Sequence, residues 1–539
     1  MKRVLGFLSL GFAAALPQTK AVVLTWSGAT GGSFSTASNW VDSALPGSGD
    51  AVEFTNVVTN TTVSFTGPGT TTVGNMTFSG TSRPAYTFGG TGSPTLSLTG
   101  NVTLTTVGDV SFASTLTLNL ASGSTFNVTS GATVTIEGIV GGAVGITKTG
   151  AGTLVLANSG NSYIDPTYVK EGVLSVSSLG TASGASSLGN DNSIADYLFV
   201  RLGNLTTTGT LKYTGNASVS TNRGIDMAGS TGGATLDASG TGAVTFSSFR
   251  VSVSGAKAFT LTGTSNATNT VSAEIKNSVD GATRLVKEGT GTWKLTGPNT
   301  YTGGTTISGG KLIADHNTAL GTGSVTLSGG TLNIASGRTL ANSLSFTSTG
   351  NASVLAGNGT LSSAVSATTN SVLAPGDSIG TLNFSNGLTL GTGSAISFEI
   401  QNPSGAAGTG YDLLNVTNGS ISLTATTNTI TFNVITLDTN GARGALQAFD
   451  PAQAYSWSFA ALSAGNTAGS ITGFSAGQFN LVTTDFTNSL AGGSFSFSLS
   501  NDSRSLLLNF TPVPEPETYV LMGTGLSLLA GAAWRRRRR

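Results

Sequence analysis

Apolar and polar residues alternate in short runs along most of this chain, and glycine, serine, threonine and asparagine fill the intervals. Leu154 and Leu156 fall on one face of such a run, as do Trp293 and Leu295, which is the period-two signature of a strand with one buried side. The pattern also repeats at longer range. Ile146, Lys148, Gly150, Gly152, Leu154 and Leu156 align with Leu285, Lys287, Gly289, Gly291, Trp293 and Leu295. After a one-residue insertion, Asn161 and Tyr163 meet Asn299 and Tyr301, and Gly172 and Leu174 meet Gly310 and Leu312. Each unit of about 30 residues reads as strand, turn, strand, turn, strand. Gly150 and Gly152 bracket a strand start, where positive φ or close stacking is expected. Asn161 to Tyr163 and Asn299 to Tyr301 are expected to supply turns. Weaker copies begin at Leu211, Gly233 and Leu320. Such a coil cannot bury its apolar face alone. It must stack on a neighbour, which also satisfies its backbone donors and acceptors.

The two ends break the pattern. Met1-Lys2-Arg3 precedes an apolar run from Val4 to Ala15, followed by small residues with Thr19 and Ala21 at cleavage-site spacing. This predicts a signal peptide over residues 1–21; an N-terminal membrane anchor is the alternative, but the run is short for a hydrocarbon core of about 30 Å. At the other end, Pro514, Glu515 and Pro516 precede an apolar stretch from Thr518 to Trp534, and Arg535, Arg536, Arg537, Arg538 and Arg539 follow. Residues 518–534 are predicted to form a single transmembrane helix, with the arginines held on the cytoplasmic side. Prolines upstream keep that helix from extending into the body.

Composition sharpens this reading. Charged residues are 9% of the chain and hydrophobic residues 38%. Disorder usually combines high net charge with little apolar content, so this chain has the material for a core. Glycine, at 76 of 539 residues, is about twice its usual share and suits many tight turns. The formal net charge is zero, but without residues 1–21 and 513–539 the body has 16 basic and 22 acidic residues. That acidic balance offers no basic face for nucleic acid. The absence of cysteine excludes disulfides and thiolate metal sites.

The three-part tail resembles the PEP-CTERM sorting signal of Gram-negative bacteria. The resemblance rests on the Pro514-Glu515-Pro516 triplet, the short span and the arginine cluster. It implies that an exosortase-type protease at the inner membrane removes the tail and passes the protein to the cell surface or extracellular matrix; a permanent tail anchor is the alternative. The repeats resemble the autotransporter-associated β-strand repeat of passenger domains, most closely between Lys287 and Leu312. The stretch from Val372 through Pro375-Gly376 to Leu382, followed by Tyr411-Asp412 and Leu414, resembles the segment that closes many such arrays. This resemblance covers residues 140–420 well and implies a right-handed parallel β-helix. About 120 residues follow Leu414 and lead into the sorting tail, so a membrane β-barrel of the autotransporter kind is not expected.

The expected architecture is therefore all-β: a right-handed parallel β-solenoid with a small β-rich C-terminal cap and the single C-terminal transmembrane helix. Residues 22–139 are assigned to an N-terminal cap and first coils, with Trp26, Trp40 and the Pro46–Asp50 turn as an opening module. Residues 140–420 are assigned to the repeat helix, 421–512 to a closing cap or sandwich with antiparallel strands around Tyr455–Phe459 and Phe495–Leu499, and 513–539 to the sorting signal.

Candidate chemistry is sparse. The lone histidine, His316, reads as a turn residue, and no Gly-x-Ser-x-Gly elbow between strand and helix frames a nucleophile for it. Asp226 and Asp237, about one coil apart with Arg223 nearby, are the best candidates for the paired carboxylates of glycoside cleavage. Aspartates at solvated turns are the simpler reading. Asn190-Asp191-Asn192 suits an Asx turn better than a calcium site. No catalytic, metal or cofactor site is therefore assigned. The function expected is that of a non-enzymatic, adhesin-like surface or matrix protein binding exopolysaccharide or matrix glycans weakly and multivalently. A carbohydrate-active β-helix enzyme, a lyase or glycoside hydrolase, is the alternative.

Overall fold

A computed structural model of the chain describes residues 22–513, apart from 57–58, 182–183, 191–198 and 348–349. The leader 1–21, the triplet Pro514–Pro516, the expected span 518–534 and Arg535–Arg539 lie outside the described residues. No described helix is long and apolar enough to cross a membrane.

The described residues form 49 strands and three short 3-10 turns, so almost all regular structure is β. The strands wind into a parallel solenoid of about 15 turns with three walls. The first wall holds ten strands, from Val23–Trp26 to Phe249–Val251, and resumes at Thr339–Leu340. The second holds thirteen, from Thr62–Thr66 to Leu344–Phe346. The third runs from Thr70–Val73 to Val140–Gly142 and then from Val219–Thr221 to Phe479–Asp485.

Register explains the core. Val52 pairs with Met76 and Phe54 with Phe78, and Met76 and Phe78 pair in turn with Val102 and Leu104. Parallel in-register coils place like wall positions over one another, so one inward column becomes a continuous apolar stack. Phe54 lies on Phe78 at 5.0 Å, and Phe88 on Phe112 at 5.1 Å. The buried cluster runs unbroken from Leu24 to Phe510.

The first turn is closed by aromatic packing. Trp26 and Trp40 meet edge to face at 5.1 Å, and Phe34 packs on Trp40 at 4.9 Å. Both indoles are satisfied: Trp26 donates to the Asn60 carbonyl and Trp40 to that of Phe34. At the other end, the strands Ile421–Leu423, Ile430–Thr436 and Tyr455–Leu462 continue the parallel walls. Among the described strands, antiparallel ladders are confined to Ser505–Thr511, which lies between Tyr455–Leu462 and Ser494–Leu499; isolated antiparallel bridges such as Trp26 to Trp40 occur elsewhere. The Tyr455–Phe459 alternation is the same in a parallel or an antiparallel strand, so sequence period alone leaves the direction open. Phe479 stacks on Phe497 at 4.4 Å, and this aromatic layer covers the last turn.

Candidate functional site

The polar residues that mark the repeat point inward. Lys148 and Lys287 are fully buried. The Lys148 ammonium donates to the carbonyls of Thr149, Gly150 and Glu171 at 2.7, 2.5 and 3.2 Å. Lys287 repeats the arrangement with Glu288, Gly289 and Gly309 at 2.6, 3.3 and 2.9 Å. Gly150 and Gly289 take positive φ, +71° and +63°, as the turn around each ammonium requires. Burial draws both amines down to about 8, against the opposing pull of Glu171 on one and Glu288 on the other.

Asn161 and Asn299 do more than make a turn. Asn299 Oδ1 accepts the Ile275 N–H at 2.7 Å, and its Nδ2 donates to the Ala319 carbonyl at 2.5 Å. Asn161 bridges Val140 and Ser187 in the same way, at 2.8 and 3.0 Å. Each amide therefore joins the turn before it to the turn after it, where no backbone strand pairs. Tyr163 and Tyr301 are buried beside them and share hydrogen bonds with Thr167 and Thr305. These groups are consumed in building the wall and are not offered to a ligand.

The two copies also face different ways. The Lys148 strand, Ile146–Thr149, belongs to the first wall, whereas the Lys287 strand, Thr283–Lys287, belongs to the second. The whole motif is displaced by one wall, so its outward residues do not align into one binding face.

Asp226 and Asp237 are not a catalytic pair. They lie on successive strands of the same turn, Gly224–Met227 on the first wall and Ala234–Ala238 on the second, rather than one coil apart. Asp226 is buried between Arg201 and Arg250, in register with both. Its Oδ2 lies 2.9 Å from Arg250 Nε and 3.8 Å from Arg201 Nε, and its Oδ1 accepts the Ser252 N–H. The arginines in turn cover Phe199 and Tyr168, at 4.0 and 4.8 Å. Asp237 pairs with Lys212 at 3.3 Å. Arg223 is buried elsewhere, donating to the carbonyls of Leu179 and Gly189. Each carboxylate thus has its own cation on its own wall. His316 accepts the Thr318 N–H through Nδ1 and caps a turn. Asn190 donates its backbone N–H to Tyr163, while Asp191 and Asn192 lie outside the described residues.

An acidic cleft of about 180 Å³ gathers Lys311, Asp377, Glu399 and Asp412. It brings together the two segments that close the array, a proximity not legible from their separation in sequence. Burial raises Asp412 to about 9 and also raises Glu399. Raised carboxyls in a cleft are what acid–base chemistry needs. Asp412 is 1% exposed, however, and its oxygens accept the N–H groups of Gly380 and Glu399, both at 2.9 Å. It ties the loop after Gly376 to the neighbouring strand. Asp377 is held by Lys311 at 2.5 Å and by Asn333 at 2.8 Å.

A pH dependence follows from Asp412. The folded chain keeps its proton up to about 9, while the unfolded carboxyl loses it near 3.8. The folded state therefore binds more protons in that window, and its stability falls as the pH rises. Urea unfolding midpoints should decline from about pH 5 to about pH 7, below the range around 8 in which the buried lysines titrate. Asp412→Asn should flatten that decline; an unchanged slope would contradict the assignment.

Comparison with known proteins agrees with the repeat geometry. The Passenger-associated-transport-repeat family matches residues 146–176 and 285–314, the two copies displaced by one wall. The PEP-CTERM protein-sorting motif matches residues 512–538. The chain is similar to the adhesin BmaC autotransporter of Brucella suis biovar 1 (strain 1330), with 34% identity over 160 residues. That alignment covers 29% of this chain and 4% of the relative, so the chain spans a small part of that protein's length.

Proposed function

We propose that this chain is an exported, adhesin-like surface protein whose solenoid serves as a rigid rod rather than as an enzyme. One observation carries the reading: the polar residues marking the passenger repeat are spent on joining turns, and the best carboxylate candidates are clamped by separate cations. The similarity to an autotransporter adhesin supports the same role. The winding is right-handed, the hand that parallel strand crossovers prefer.

Sorting would run through the tail. After export under a signal peptide cut at Ala21, the span 518–534 would hold the chain in the inner membrane. An exosortase-type protease would recognise Pro514, Glu515 and Pro516 and release the body to the cell surface or extracellular matrix, with Arg535 to Arg539 fixing the tail's orientation. There the hydroxyl- and amide-rich walls, residues 22–512 in all, would hold matrix glycans by many weak contacts. Deletion of 518–539 should shift the protein from the surface fraction into the medium or periplasm, read by cell fractionation. Mass spectrometry of the mature form should find a C-terminus close to Pro514. An unchanged distribution on deletion would overturn the sorting role.

A further inference from the structure

The second wall carries one feature that the repeat motif does not account for. Its outward side presents a column of hydroxyls over successive turns: Thr210 pairs with Thr235 and Thr235 with Thr260, and beyond Val286 the column continues through Thr306 to Thr326. These side chains are half-buried and face away from the core. Beside them the wall dips into a groove of about 370 Å³, within the range of ligand sites. Its lining includes Thr208, Gly233, Lys257, Ala258, Thr260 and Arg284.

The dip exists because its floor is made of small residues. A Cβ at Gly233 would come within 2.7 Å of the Ala258 carbonyl oxygen, so that position excludes any side chain. Ala258 pairs with Arg284 in the next turn, and the groove therefore runs along the rod axis across turns about 4.8 Å apart. Its charge also differs from the rest of the body. Acidic residues outnumber basic ones in the mature chain, yet the lining contains two cations and no carboxylate. Lys257 is occupied, its ammonium donating to the carbonyls of Gly229 and Val253 at 2.6 and 2.5 Å. Arg284 is exposed and has no ion pair among the described residues. Asp237, in the adjoining column, is neutralised by Lys212.

We propose that this groove binds a linear, uronate-bearing polysaccharide laid along the solenoid axis, with the threonine hydroxyls meeting sugar hydroxyls turn after turn and Arg284 pairing with a carboxylate. A chain lying along the axis meets the same donor row at every turn but that of Val286, so individually weak contacts add. A guanidinium meets a carboxylate by two charge-assisted hydrogen bonds, and the hydroxyls of a neutral sugar lack the charge that strengthens them. The inference rests on the glycan-binding reading above and deepens it by naming a site and a ligand class.

The test is fluorescence titration of the purified full chain with an oligogalacturonate and with a neutral β-glucan oligosaccharide of equal length. The unsubstituted protein should prefer the oligogalacturonate. Ala258→Trp, which fills an outward-facing position in the floor, should weaken it about tenfold or more, as should Arg284→Ala. Thr103→Trp, outward-facing on the first wall, should leave binding unchanged, and circular dichroism melting should show all three variants folded. Binding that survives Ala258→Trp overturns the groove while leaving glycan binding in place. Equal affinity for the neutral oligosaccharide overturns the uronate specificity. No binding of either sugar by the unsubstituted chain overturns the groove; if the protein then also fails to associate with isolated cell-surface polysaccharide, the broader glycan reading falls with it.

Discussion

Trp293→Ala should cost about 3–5 kcal/mol of stability, the largest effect expected from any single truncation in the repeats. Trp293 is fully buried on the third wall, in register with Asn269 and Leu312 in the turns on either side. Its indole N–H donates to the Thr262 carbonyl at 2.9 Å. Alanine would leave a cavity in a stacked core and an unpaired carbonyl, and the turns cannot close in because their spacing is set by backbone ladders. Trp293→Leu should cost less, because leucine fills the corresponding place in the first copy at Leu154. Urea unfolding with hydrogen exchange provides the measure. In a stack held by nearest-neighbour contacts the loss should be local, with exchange accelerating first in the strands Thr268–Val271 and Lys311–Ala314. An unchanged midpoint for Trp293→Ala would contradict the packing described.

Asn299→Ala should cost about 2–5 kcal/mol, since it strands a buried N–H and a buried carbonyl together. Those groups belong to Ile275 and Ala319, in the turns before and after. Neither has a strand partner at that level of the first wall, because that wall is without strands between Phe249–Val251 and Thr339–Leu340. The side-chain amide does the work that a ladder does elsewhere. Asn299→Asp should not rescue it, as a carboxylate accepts the Ile275 N–H but has no donor for Ala319. Exchange at the Ile275 amide should rise by at least an order of magnitude in Asn299→Ala, with distant turns unaffected. Protection that persists there would show that some other group holds the amide.

Much of the fold was legible in the chain. Alternation at Leu154 and Leu156, and at Trp293 and Leu295, correctly marked which side chains enter the core. Gly150 and Gly289 marked positions where only positive φ serves. The polar members of the motif were harder to read. Lys287, Asn299 and Tyr301 look like surface residues by type, and they are buried because each finds backbone partners in an adjacent turn, which a linear pattern does not display. The candidate carboxylates failed for the same reason. Eleven positions separate Asp226 from Asp237, less than half of the 25 that make a full turn here, so the two fall across one corner rather than one coil apart.

What the amino-acid order determined by itself was local: short strands, their buried parity, tight glycine turns, a repeat of about 30 residues and the distinct chemistry of the two ends. Which wall a strand occupies was decided only by the tertiary structure. Wall position is the running sum of every corner that precedes it. One long turn, such as the one that brings Gly172 against Gly209, alters that sum for everything downstream. Two copies of one motif can therefore face different directions with equal comfort, because all three walls offer an inward side chain the same apolar interior. The threonine column and its groove arise from the same summation: residues some 25 positions apart line up only when the intervening corners add to one full turn.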